Sequence, residues 1–331
     1  MLARLKPDTF TMLLVGMVIL ASFLPIQGEA AHIFGIATNL AIALLFFLHG
    51  ARLSRETVIA GATHWRLHLT ILAATFVLFP LLGLLINLTL PSLLTPALAA
   101  GVLFLCVLPS TVQSSIAFTS IGGGNIPAAV CAASASNIFG IFLTPLLVWL
   151  LFGVQGGGNS GSAVWTIVLQ LLLPFTLGQI IQPFVGGFIR RHRKVLGLVD
   201  RGSILMVVYL AFSEAVATGL WHQFSAAALI TMVVVDIALL AFVLVTTTWT
   251  SRRLGFSRED EIAIVFCGSK KSLASGVPMA NVIFAGQNIG AIVLPLMLFH
   301  QIQLMACAVL ARRYATHMVE ASGAQAAKVP G

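Results

Sequence analysis

The sequence predicts an all-α polytopic membrane protein: ten transmembrane helices in two inverted five-helix repeats, the fourth and ninth broken and meeting near the midplane. Three observations predict it. Of 331 residues, 59% are hydrophobic and 8% charged, against roughly a quarter charged in a soluble domain. Lys and Arg are confined to alternate connections along the chain. The two halves also match weakly at a shift of 161 residues, close to half the length. Ten helices of about 20 apolar residues take roughly 200 residues and leave about 130 for ends and short connections, so no sizeable domain stands outside the bilayer.

Hydrophobic runs between turn signals give spans at 9–25, 32–50, 66–88, 95–119, 125–153, 163–189, 203–220, 224–249, 261–284 and 287–311. The first follows Arg4 and Lys6, but its apolar stretch from Phe10 to Leu24 exceeds the core of a secretory signal, so it reads as a retained helix. The Gly/Ser-rich stretch 155–162 reads as a flexible outside loop between a first repeat, 1–154, and a second, 163–313, with 314–331 as a cytoplasmic tail. With both termini placed in the cytoplasm, the inside segments hold 16 of the 18 Lys and Arg residues. Outside loops such as 25–31, 89–94 and 155–162 hold none. Lys and Arg resist translocation, so this bias sets the orientation in a plasma or bacterial inner membrane. The formal charge of +8 is thus a topology device. No basic arm or RNA-binding motif accompanies it, which argues against nucleic acid as a partner.

Setting Cys106 on Cys267 aligns Pro109–Ser115 with Lys270–Gly276, and both stretches run on to a Gly/Asn element. Five spans is an odd number, so the second half enters from the opposite side and the repeats are inverted. Inverted-repeat transporters put their substrate and ion sites where discontinuous helices meet. Ser, Thr and Gln crowd Pro109 in span four, while span nine carries Ser269, Lys270, Lys271, Ser272, Ser275, Gly276 and Pro278. Proline removes a backbone donor, and irregular backbone at membrane depth survives only where protein or water satisfies it. The candidate substrate or ion site is therefore Pro109, Gln113, Ser114, Ser115, Asn125, Ser269, Lys270, Lys271 and Ser272.

Glu214, Asp236, Lys270 and Lys271 are the charges well inside spans. Lys270 sits roughly 14 Å from the start of span nine at 1.5 Å per residue, too deep for its stem to reach the interface. A charge held there needs a partner or a wet cavity. Two readings stand. Glu214 and Asp236 pair with the lysines and clip spans seven, eight and nine together, or a lysine serves the site by binding an anion or changing protonation. Asn39, Asn137, Gln179, Gln182, Gln301 and Gln303 read mainly as helix-to-helix hydrogen-bonding amides. The four cysteines lie within spans without ligand spacing, so neither a disulfide nor a metal is expected.

Phe46–Leu53, Leu108–Ser115, Gly123–Asn125 and Phe266–Leu273 resemble the bile acid:sodium symporter superfamily, solute carrier family 10, and most closely its SBF-like branch of bacterial symporters and the seventh human member. The resemblance covers about residues 8 to 315. It implies a panel of helices 1, 2, 6 and 7, a core of helices 3–5 and 8–10, crossing unwound helices 4 and 9, and alternating access with Na+ or H+ as coupling ion. Sodium-coupled members carry Glu and Gln ligands in helix nine, where this chain has Ser269 and Leu273. They have Ser-Asn where this chain has Ser114–Ser115, and hydroxyl ligands where it has Ala129 and Ala133. A hard cation needs several oxygen ligands and is repelled by a nearby ammonium group, so the standard sodium site is not expected. The function expected is transport of a small organic, anionic solute. A non-transporting membrane regulator or scaffold is the alternative, and with no nucleophile, metal set or cofactor motif an enzyme is not expected.

Overall fold

The computed structural model describes residues 9–52, 64–89, 94–153, 172–217, 219 and 225–326. Every regular element among them is a helix: α1 (Thr9–Phe23), α2 (Gly28–Arg52), α3 (Trp65–Thr89), α4 (Pro96–Val107), α5 (Gln113–Ile121), α6 (Ile126–Gly153), α7 (Leu173–Arg191), α8 (Arg193–Ala217), α9 (Ala226–Arg253), α10 (Arg258–Gly268), α11 (Leu273–Ile283) and α12 (Ile289–Ala326). Six are long and apolar enough to cross a membrane, namely α2, α3, α6, α8, α9 and α12, and α1, α4 and α7 are shorter apolar helices.

Two boundaries differ from the sequence expectation. The connection expected before residue 203 is helical, since α8 starts at Arg193, two residues after α7 ends. Residues 193–202 contain no proline, and Arg, Lys, Leu and Val are tolerated in helices, so nothing stops the turn. The last helix likewise runs past 311 to Ala326, through an Ala-rich, proline-free stretch. The beginning of span six and the Gly/Ser loop lie outside the described residues.

Large apolar side chains cover the outside of the bundle. Phe23 and Phe184 are 81% and 86% exposed, with Leu40, Val245 and Ile230 also bare. A face of this kind is stable against lipid rather than water. The inside holds α4, α10 and α11, whose residues from Val102 to Leu108, Ile262 to Gly268 and Ser275 to Ala280 are buried on every side. Helices apolar all round belong in the centre, and α10 is ringed by α3, α5, α6 and α9.

Of the outer helices, α1, α2, α7 and α8 pack on one another, with α8 also touching α11 and α12. The closest approach is between α2 and α7. A Cβ added at Gly50 would lie 2.1 Å from the Phe175 carbonyl oxygen, and one at Gly178 would lie 2.1 Å from that of Phe47. The side-chain amide of Gln179 donates to the Gly50 carbonyl at the same crossing. Small residues let helix backbones meet where lipid offers no hydrophobic push. Gly178→Ala should therefore force α2 and α7 apart and cost about 1–3 kcal/mol, the usual range for overpacking. Thermal unfolding in detergent would register it, with Gly187→Ala, which meets open space, as the neutral control.

Candidate functional site

The first break follows from proline chemistry. Pro109 drives the preceding residue out of the helical region, and Leu108 is extended at ψ 155°. Residues 108–112 are not helical, and α5 resumes at Gln113. Freed backbone groups in an apolar interior must find partners. The Ser110 amide donates to Ser136 Oγ at 3.0 Å, the Ser110 carbonyl accepts from Asn137 Nδ2 at 2.8 Å, and the Val107 carbonyl accepts from Thr144 Oγ1 at 2.8 Å. All three partners are on α6, which passes over Pro109 at Gly140, where a Cβ would meet the proline ring at 2.7 Å.

The second break is 269–272, between α10 and α11. Ser257 caps α10 by accepting from the Asp260 amide, with Glu259, Asp260 and Glu261 in the first turn, where carboxylates suit the helix dipole. Ser272 starts α11 by accepting from the Ser275 amide. The two breaks meet. The Ser272 amide donates to the Pro109 carbonyl at 2.9 Å, Ser110 Oγ to the Cys267 carbonyl at 2.5 Å, and Ser115 Oγ to the Phe266 carbonyl at 3.0 Å.

Both lysines lie in this seam and are 0% exposed. Lys271 Nζ donates to the carbonyls of Thr75 at 2.8 Å, Cys106 at 2.8 Å and Leu108 at 2.7 Å, which uses all three ammonium protons. The Phe79 ring caps it at 4.1 Å. Thr75 belongs to a π-helical turn of α3, Ala74–Leu78. Such turns are rare and recur at functional sites. The Lys271 backbone is gripped by Gln303 of α12, which accepts from its amide and donates to its carbonyl, both at 2.9 Å. Lys270 Nζ donates to the Ser114 carbonyl at 2.8 Å and lies 4.2 Å and 5.2 Å from the Phe118 and Phe266 rings.

Of the residues proposed from sequence, Pro109, Ser114, Ser115, Ser269, Lys270, Lys271 and Ser272 are brought together here. Ser269 ends α10, its hydroxyl turned back on the Val265 carbonyl at 2.6 Å. Gln113 is exposed at the start of α5. Asn125 stands apart from the seam: it caps α6 through the Ala128 amide and ties it to α10 through Asp260 at 2.8 Å. The pairing of the lysines with Glu214 and Asp236 is corrected. Among the described residues neither lysine forms an ion pair. Glu214 is exposed on α8, and both Asp236 carboxyl oxygens are buried without a hydrogen-bond donor. The physical reason is that the breaks free carbonyl oxygens, and these reach the ammonium groups first. Thr75, Phe79 and Phe118 were missed. Asn137 and Gln303, expected to join helices, do so by serving the breaks.

A cavity of about 310 Å³ opens between α2, α7 and α11, lined by Ile36, Asn39, Leu40, Ile42, Ala43, Pro174 and Val282. Asn281 donates to Asn39 at 3.2 Å nearby. Such a volume is at the small end of ligand sites.

Broken helices joined inside an apolar helical bundle are a recurring build of membrane transporters. Similarity to known proteins gives the same class. The chain belongs to the SBF-like CPA transporter family, whose sequence profile matches residues 8–316. An uncharacterized protein of Pseudomonas aeruginosa is 58% identical over 324 residues, 98% of this chain and 97% of that one. The Escherichia coli protein named "Putative symporter YfeH" is 56% identical over 307 residues, 93% and 92% of the two chains. The sodium/bile acid cotransporter 7 of Rattus norvegicus is 30% identical over 285 residues, 85% and 83% of the two.

Gln303→Leu would leave the Lys271 amide and carbonyl buried and unsatisfied, at about 1–3 kcal/mol for each such group. The variant should melt well below the parent in detergent, whereas Met305→Leu, at an exposed apolar position of the same helix α12, should change the melting point far less.

Proposed function

We propose that the chain is a secondary transporter that moves a small organic, anionic solute by alternating access, with the Lys271 ammonium standing where a coupling cation would otherwise sit. The observation that carries this is the shell of three backbone carbonyls around Lys271 Nζ at the junction of two broken helices. Carbonyls freed by unwound helices coordinate small cations in transporters of this build. Here a side chain from the second break fills that role permanently. The aligned breaks support two inverted five-helix repeats. The packing of α1, α2, α7 and α8 on one another supports a panel that moves against a core of the remaining helices. The distribution of Lys and Arg supports cytoplasmic termini.

Charge balance supports an anionic solute. The seam holds two ammonium groups and the N-terminal ends of α5 and α11, and no carboxylate pairs with either lysine among the described residues. An anion bound beside the seam would supply the missing charge. The cavity between α2, α7 and α11 faces the proposed panel and core from both sides and suits a small molecule. Two relatives are named as a symporter and a sodium/bile acid cotransporter. Sodium coupling does not carry over to this chain, because its ammonium groups occupy the carbonyls and Ala129 and Ala133 offer no hydroxyl.

Uptake of labelled organic acids by proteoliposomes tests the reading. Accumulation should not depend on a sodium gradient. Sodium-dependent uptake that survives Lys270→Ala or Lys271→Ala would refute it. Lys271→Ala should also lower the melting point and empty the carbonyl shell, so methylammonium or sodium should restore part of the loss in the variant and have no such effect on the parent.

A further inference from the structure

Asp236 is the eleventh of the 28 residues of α9, in the middle of the helix. It is 0% exposed, and neither carboxyl oxygen has a hydrogen-bond donor. The α9 residues next to it in the helix belong to apolar clusters. Met232 and Val235 of α9 cluster with Leu98 and Val102 of α4, Ile86 of α3 and Leu294 and Leu298 of α12. A carboxylate accepts hydrogen bonds and cannot donate them, so as an anion it would be left with full charge and no compensation. A carboxylic acid suits this setting.

The charged and titratable groups on the elements packed against α9 have other partners or lie elsewhere. On α10, Glu261 is held by Arg252 and Arg258 at the far end of the helix, and Cys267 contacts the Ala129 carbonyl. On α12, His300 Nδ1 meets Gln303, and Tyr314 donates to Glu261. The π-helical turn of α3 carries no titratable side chain. On α4, the Cys106 carbonyl holds the Lys271 ammonium. The same π-helical turn that supplies the Thr75 carbonyl to Lys271 also packs against α9.

We propose that Asp236 is a proton-binding site and that the proton is the ion coupled to the anionic solute, an inference that rests on the transport reading above. In the state seen here the side chain is the neutral acid, the seam keeps its positive charge, and an anion is welcome. When water reaches Asp236 in another state of the cycle, the O–H bond breaks, water takes the proton as hydronium, and the carboxylate keeps the electron pair. That carboxylate then supplies the negative charge the lysines lacked, and the solute anion loses its advantage. Proton and anion therefore arrive together and leave together, which is symport.

Infrared difference spectroscopy of the purified full chain in lipid, with no ligand added, tests this directly. At neutral pH the parent should show the carbonyl stretch of a carboxylic acid without hydrogen bonds, and Asp236→Asn should lose it. Absence of that band in the parent, or its persistence in the variant, overturns the proposal. Asp236→Asn mimics the neutral acid in shape, so its melting point at neutral pH should stay within a few degrees of the parent, and a collapse of stability would show that an ionised carboxylate is required. If the Asn variant cannot be purified, Asp236→Glu serves, since the longer acid must shift the band. Failure of the transport reading registers separately, as no uptake of any organic acid in the proteoliposome screen with the band intact. Where uptake is found, that solute should accumulate faster under an inward proton gradient in the parent and show no pH response in Asp236→Asn. Equal pH response in both would overturn the coupling.

Discussion

A lysine ammonium coordinated by three backbone carbonyls is the interaction on which the middle of this protein depends. Breaking two helices inside an apolar bundle exposes carbonyl oxygens that lipid cannot satisfy. Lys271 answers for Thr75, Cys106 and Leu108 in one group. These carbonyls come from α3, α4 and the first break, and the donor comes from the second, so one side chain fixes four pieces of chain. The cost of burying the charge is offset because hydrogen bonds to a charged donor are the stronger kind and because Phe79 lies against it.

The remaining polar groups near the breaks follow from the same constraint. Ser136, Asn137 and Thr144 of α6 serve the first break, while Gln303 of α12 serves the second. Asn137 touches both, donating to the Ser110 carbonyl and accepting from Ser275 Oγ at 2.8 Å. Each serves a backbone group that the breaks leave open. At the outer crossing of α2 and α7, Gly50 and Gly178 let the backbones close and Gln179 serves the Gly50 carbonyl.

Much of this was legible in the sequence. Apolar length gave the helices, and Pro109 and the Ser/Lys/Gly run at 269–278 gave both breaks, because proline and small polar residues betray backbone that leaves the helix. The ligands of the lysines were not legible. A carbonyl oxygen belongs to every residue, so Thr75, Cys106 and Leu108 leave no signature, and the π-helical turn that presents Thr75 has an ordinary apolar sequence. Counting two acids against two bases suggested ion pairs, but a tally says nothing about direction: Glu214 is exposed on α8 and Asp236 is buried in α9 with no donor to its carboxyl oxygens. The helical join before residue 203 was missed because charged residues were taken as an end to the apolar span when they do not end a helix.

The correction at Asp236 alters the logic of the proposed site more than a confirmed pair would have done. Had the acids neutralised the lysines, the seam would be a fixed electrostatic clip with nothing left to bind. An acid without a donor and two bases without an acid leave the seam short of one kind of charge. In the proposed cycle two sources balance it, a charge on Asp236 or a charge brought in by the solute. Because the two serve the same positive seam, each weakens the need for the other. Coupling in the proposed cycle therefore requires no contact between proton and solute, only that both answer to the same pair of lysines.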